Sequence, residues 1–318
     1  MGQRRALVIG SQCKPYGDLP FLPDYAQDLY TVLTKPKIGG CTSALGDETG
    51  LLIDPTVKEV EDTIERTFQL ASRAGDTLLL ALVGHGWGKD RTFYFLATDS
   101  PRPPTLRTAV PLADLLRDTW GRHSGIDGLL LLIDTCHAGI AGLDTASELE
   151  GALKSAARYE ILMATGEDSA YGGCFTHVLV ETLRKGLPAE KGETVLCRHV
   201  SPILDQKCIE KQVSDHRARK PSDESMFLAK NIAPPPANRP WERMSLSETL
   251  DALTDCFQPT AALTALVARA ETVRCAALVG GAGKWEIGIG GRLGAPGYHR
   301  RAGARALRTG DRSDYAGR

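Results

Sequence analysis

Two uninterrupted aliphatic runs, each ending on small and reactive residues, constrain this chain more than anything else in it. Gly128 is followed by five aliphatics, Leu129 to Ile133, and then by Asp134-Thr135-Cys136-His137-Ala138-Gly139. Thr77-Leu78-Leu79-Leu80-Ala81-Leu82-Val83 runs straight into Gly84-His85-Gly86. A continuous apolar run, rather than an alternating one, is the pattern of a strand buried on both faces, as in a parallel sheet covered by helices. Chains leave such strands where open α/β sheets bind their ligands. Cys136 and His85 are therefore expected at one edge of a sheet.

The rest of the first 230 residues alternates strand and helix patterns. Ala6 to Gly10 reads as the first strand, and Asp24 to Leu33 as a helix stopped before Pro36. Thr56 with Glu59 three residues on is a capping box. It opens a helix whose apolar stripe is Val57, Val60, Ile64, Phe68 and Ala71. Leu51 to Ile53 and Phe93 to Ala97 read as strands, and Pro111 to Trp120 as a helix with proline at its first position. An acidic Gly/Ala-rich loop follows Cys136 and leads to a strand at Tyr159–Thr165 and a helix from Phe175 to Lys185. A polar helix over about 194–212 and a last strand at Ser225–Ala229 complete the pattern. The expected architecture is an α/β sandwich around a largely parallel sheet.

Composition excludes several classes. A formal net charge of -1 over 318 residues points to neither nucleic acid nor an acidic partner. No run approaches the roughly 18 apolar residues a membrane span needs, and the apolar stretch after Arg5 is too short for a signal-peptide core. Ala6 stands where a myristoylation motif wants Ser or Thr. The eight cysteines contain no CxxC pair, which argues against a zinc ribbon or a disulfide framework. A cytoplasmic protein with reduced thiols, no metal and no cofactor is expected.

Neighbouring parallel strands would bring His85 and Cys136 together. An imidazole beside a thiol populates the thiolate at neutral pH and later protonates a leaving amine. The backbone N–H groups of Gly86 and Cys136 are candidate oxyanion donors. Alone, a cysteine after a strand reads as a small buried hydrophobe, and a histidine beside glycine as a structural residue. Their joint occurrence, in this order and roughly fifty residues apart, carries the argument. His137 is a poor base for its neighbour, because adjacent side chains on an extended segment point to opposite sides.

On Gly84-His85-Gly86, Asp134-Thr135-Cys136-His137-Ala138-Gly139, Ile161 to Thr165 and Gly172-Gly173-Cys174-Phe175-Thr176, residues 5–230 resemble the caspase-like cysteine peptidases, in the style of bacterial metacaspase-like proteins. The resemblance implies a three-layer caspase-like sandwich, His85 as general base, Cys136 as nucleophile, and peptide-bond hydrolysis through an acyl-enzyme. It also implies a protein or peptide substrate cut after Arg or Lys, with Asp134 lining the pocket through a bidentate contact to the guanidinium. Asp134 has a second reading, as a carboxylate that holds the loop carrying Cys136. The family's other pocket acid directly precedes the first helix's Ala; here Tyr25 precedes Ala26, with Asp24 and Asp28 to either side. Asp168 is a further candidate for the pocket. Whether calcium activates is not readable. The rival class is a catalytically silent caspase-like assembly module.

The domain expectation is a peptidase domain over 1–230 and a Pro-rich linker over 231–244. Beyond it, 245–289 would hold two short helices and a truncated NTPase-like entry strand, and 290–318 a basic disordered tail with seven arginines against two acids. Gly283-Lys284 is followed by Trp285 where a phosphate-binding loop needs Ser or Thr, so ATP binding is not expected.

Overall fold

The computed structural model describes residues 2–90, 92–136, 145–165, 173–188, 190, 192–208, 213–221, 225–233, 277–281 and 284–288. Its elements are β1 (Arg4–Ser11), a 3-10 turn at Lys14–Tyr16, α1 (Leu22–Thr34), β2 (Thr42–Ser43), β3 (Leu51–Ile53) and α2 (Val57–Ala74). There follow β4 (Thr77–Lys89), β5 (Thr92–Phe95), β6 (Val110–Pro111), α3 (Leu112–Arg122), β7 (Gly128–Cys136), α4 (Thr145–Ala152), β8 (Tyr159–Thr165) and α5 (Cys174–Lys185). β9 (Thr194–Val195), α6 (Cys197–Lys207), β10 (Val213–Arg219), β11 (Ala229–Lys230), β12 (Ala277–Gly281) and β13 (Lys284–Gly288) complete the order.

The main sheet runs β10-β8-β7-β4-β1-β2, with β3 also on β1. β1, β2, β3, β4, β7 and β8 are parallel, and β10 closes one edge antiparallel to β8. Because the central strands are sandwiched, alternate residues feed two cores. Leu79, Ala81, Val83, Leu130 and Leu132 pack against residues of α1, α5 and α6. Leu78, Leu80, Leu82, Leu129, Leu131 and Ile133 pack against residues of α2, α3 and α4. The apolar runs are thus continuous because both faces are buried, and the fold is the mixed α/β, mostly parallel class their pattern predicts.

The chain leaves β1 toward β2 and β3, then returns to β4 on the other side of β1 and continues to β7 and β8. The sheet therefore has its topological switch point between β1 and β4, where open α/β sheets form their ligand crevice. Right-handed crossovers in opposite directions from that point put α1 on one face and α2, α3 and α4 on the other.

The Thr56–Glu59 capping box is formed, and α2 ends on Gly75 in the left-handed conformation. Other expectations are corrected. Pro111 lies in β6 and caps α3 instead of opening it. The polar stretch expected as one helix over 194–212 is β9 followed by α6, with the separate strand β10 after it. The strand expected at Ser225–Ala229 is only Ala229–Lys230, paired with β9. The loop expected after Cys136 contains α4.

The chain divides into two compact units, Met1–Ala237 and Asn238–Arg318. In the second, β12 and β13 pair antiparallel, with Gly280 opposite Trp285. The expected helices over 245–257 and 260–272 and the tail over 290–318 lie outside the described residues.

Candidate active site

Strand register joins the two sequence candidates. β4 and β7 pair in parallel from Thr77 opposite Gly128 to His85 opposite Cys136, so the two residues sit side by side at the carboxyl edge of the sheet. Parallel neighbours lie about 4.8 Å apart. By strand alternation His85 falls on the α1/α5 face, as does Val83 before it.

Gly84 makes the approach of β1 to β4 possible. Its φ is +155°, and a Cβ there would lie 2.4 Å from the Ser11 carbonyl oxygen. Only glycine fits between β1 and the histidine that follows.

His85 is buried, and its Nε2 lies 3.0 Å from the carbonyl oxygen of Gly17, in the loop leaving β1. A carbonyl cannot donate, so Nε2–H donates to it, and in the neutral ring Nδ1 is the basic nitrogen. Burial pushes the His85 pKa down. The Gly17 bond works against that shift, and the positive charge of Arg102 adds to it. The Tyr16 ring lies 6.2 Å from the imidazole, with the Arg102 guanidinium 5.4 Å from the Tyr16 ring centre. Burial thus favours the neutral imidazole, and the Gly17 bond fixes its tautomer.

The ladder bond from Leu96 N–H to the His85 carbonyl makes Gly86–Phe95 a non-hydrogen-bonded pair of the β4–β5 ribbon. The N–H of Gly86 is therefore directed away from β5, as an oxyanion donor at this edge requires.

Asp134 is in register with Val83 and is 3% exposed. Its Oδ2 accepts the Thr176 N–H at 3.0 Å and the Thr176 hydroxyl at 2.6 Å. Thr176 is the third residue of α5, whose N-cap, Gly173, has no side chain to offer. Asp134 thus supplies from a neighbouring strand the acceptor that an N-cap side chain normally gives to the N3 amide, and its charge suits the positive end of the helix. Gly173 itself has φ +64°, and a Cβ there would meet the rings of Phe21 and Tyr25 at 2.6 and 2.7 Å. The start of α5 is therefore packed tightly on the start of α1.

Two of the other acids lie on α1. Asp24 is exposed in the first turn of α1. Asp28, one turn further along, is paired with Arg184 at 2.6 Å. It lines a surface cavity of about 160 Å³ between α1 and α5, with Tyr25, His177, Val180, Glu181, Arg184 and Lys185. Asp168 lies outside the described residues.

Two features escaped sequence reasoning. The carbonyl of Gly17 fixes the histidine tautomer, and a backbone group leaves no trace in residue identity. Cys174 and Cys208 are joined by a disulfide that ties the first residue of α5 to the end of α6. This corrects the expectation of wholly reduced thiols. The pair spans 34 residues and has no motif spacing to announce it. Cys13, Cys41 and Cys197 are buried thiols outside the disulfide. No helix among those residues is long and apolar enough to cross a membrane.

No family model matches the sequence, and no curated protein does. Among solved structures, a crystal structure of a Geobacter sulfurreducens protein aligns at 15% identity with a TM-score of 0.45, covering 71% of this chain and 97% of that one. The Drosophila initiator caspase Dronc aligns at 8% identity with a TM-score of 0.43, covering 68% of this chain and 78% of that one. Likenesses this distant carry no functional weight, and the functional reading rests on the site itself.

Proposed function

We propose that this chain is a caspase-like cysteine endopeptidase of metacaspase type, with Cys136 as nucleophile and His85 as general base. The observation that carries the reading is the register of His85 and Cys136 on adjacent parallel strands at the switch-point edge of the sheet. In the proposed reaction Nδ1 of His85 takes the thiol proton while Nε2 stays on the Gly17 carbonyl. The thiolate attacks the scissile carbonyl, and the N–H groups of Gly86 and Cys136 receive the oxyanion. The imidazolium then gives its proton to the leaving amine, and water hydrolyses the acyl-enzyme.

The proposed preference is for Arg or Lys before the cut. Asp134 supports it by its place two residues before the nucleophile, as a carboxylate already fixed in position by Thr176. Asp24, in the first turn of α1, is the second contributor in this reading. Asp28 is held by Arg184 and is left out of the pocket.

Fluorogenic peptides with Arg, Lys or Asp before the reporter, with and without calcium, test the proposal beside Cys136→Ala and His85→Ala. Cleavage after Arg or Lys that disappears in both variants supports it. Absence of Cys136-dependent cleavage under every condition refutes it and favours a silent assembly module.

A further inference from the structure

A second cluster of reactive side chains lies far from His85 and Cys136. Glu160 of β8, Cys197 of α6 and His216 of β10 present a carboxylate oxygen, a sulfur and a ring nitrogen that all lie within 4.8 Å of one another. Glu160 pairs in register with Leu130 of β7, near the amino end of that strand, whereas Cys136 ends it. At about 3.3 Å per residue the two places are roughly 20 Å apart along the sheet. The cluster therefore has no part in the proposed hydrolysis.

Its chemistry is unusual for a core. Glu160 is 3% exposed and Cys197 1% exposed. Nε2 of His216 lies 3.1 Å from Glu160 Oε2, and the Cys197 sulfur lies within 4.8 Å of both groups. A buried carboxylate is costly unless paired, and a thiol beside it is a poor counter-group.

We propose that Glu160, Cys197 and His216 form a zinc site that staples the edge strand β10 and the start of α6 to β8. Thiolate, imidazole and carboxylate together are a zinc donor set, unlike the all-oxygen sets of calcium and magnesium. With bonds of about 2.0–2.3 Å at tetrahedral angles, zinc ligands lie about 3.2–3.8 Å from one another. The observed Glu160–His216 separation of 3.1 Å is already close to that range, and the sulfur lies within 4.8 Å of both. Cys197 is the first residue of α6, so a metal held there would tie the start of that helix to the sheet. The His216 side chain is 22% exposed, which provides an entry path and leaves a fourth position for water. Among the described residues β10 has only β8 as a sheet neighbour, so a staple would hold an edge strand in place.

The test uses the full chain carrying Cys136→Ala, which removes the nucleophile as a competing ligand. The protein is stripped with chelator and titrated with zinc or cobalt. The proposal expects one metal per chain, a cobalt–thiolate charge-transfer band, and a melting temperature that rises with zinc. Added Cys197→Ser should abolish the thiolate band. His216→Gln, at a half-exposed position on an edge strand, should reduce zinc affinity at least tenfold while leaving the circular dichroism of the apo protein unchanged. Sub-stoichiometric binding, a cobalt spectrum without thiolate, or equal affinity in folded His216→Gln would overturn it.

Discussion

Asp134 allows the structural and the substrate-binding readings of one residue to be separated. Its Oδ2 accepts two bonds from Thr176 in a site closed to water. Hydrogen bonds to a charged group contribute about 1.5–3 kcal/mol, and stranding a buried donor costs about 1–3 kcal/mol. Asp134→Ala strands both the N3 amide and the hydroxyl at the start of α5, and about 3 kcal/mol of destabilisation is expected. Thr176→Val removes one bond and keeps the amide acceptor, so about 1 kcal/mol is expected. Asp134→Asn keeps an oxygen for the amide and should fall between them. With a urea m-value of about 2.5 kcal/mol/M, Asp134→Ala moves the denaturation midpoint down by about 1.2 M. Urea titrations followed by circular dichroism, in the Cys136→Ala background to prevent self-cleavage, measure this order. Asp134→Ala within about 0.5 kcal/mol of its parent would refute the capping role. If Asp134→Asn folds stably but loses cleavage after Arg and Lys, the carboxylate also reads the substrate.

Four further outcomes are expected. Burial holds the His85 pKa below its ordinary value of about 6.5, so the acid limb of the kcat/KM profile should lie below that pH. The unfolded chain takes up a proton near pH 6.5 while folded His85 does not, so its contribution to stability is intact above that pH. It falls as pH drops from about 6.5 toward the lower folded value, and chemical denaturation at a series of pH values, with His85→Gln as control, measures the difference. Closing a loop of 34 residues gives a chain-entropy stabilisation of about 3.8 kcal/mol, so Cys174→Ser with Cys208→Ser should lose up to that amount in urea unfolding. Gly84→Ala would put a Cβ 2.4 Å from the Ser11 carbonyl oxygen and should cost about 2 kcal/mol by the same measurement, with a larger loss of activity because His85 follows directly.

Much of this architecture was legible because burial on both faces writes itself into sequence. β4 and β7 each carry a continuous apolar run, β8 carries a shorter one from Ile161 to Ala164, and the Thr56–Glu59 box marks the start of α2. His85 and Cys136 could be paired before any coordinates because each closes such a run. Elsewhere the signal fails for physical reasons. β10, Val-Ser-Asp-His-Arg-Ala-Arg, has one strand neighbour and no fully buried residue, so it shows neither apolar alternation nor a run. α4 buries mostly small side chains, Thr145, Ala146 and Ala152 around Leu149, and reads as a loop. The Asp134–Thr176 cap, the Gly17 carbonyl and the Glu160–Cys197–His216 cluster join residues distant in sequence. No spacing encodes them; only the packing of strands and helices brings them together.

The central claim, that His85 activates Cys136, is tested most directly by the rate at which each thiol is alkylated by iodoacetamide, followed residue by residue with mass spectrometry across pH. The account predicts that Cys136 reacts far faster than Cys13, Cys41 and Cys197 near pH 6, and that His85→Ala removes this advantage. A Cys136 that alkylates no faster than an ordinary thiol of pKa about 8.5, or equally in both proteins, would contradict it.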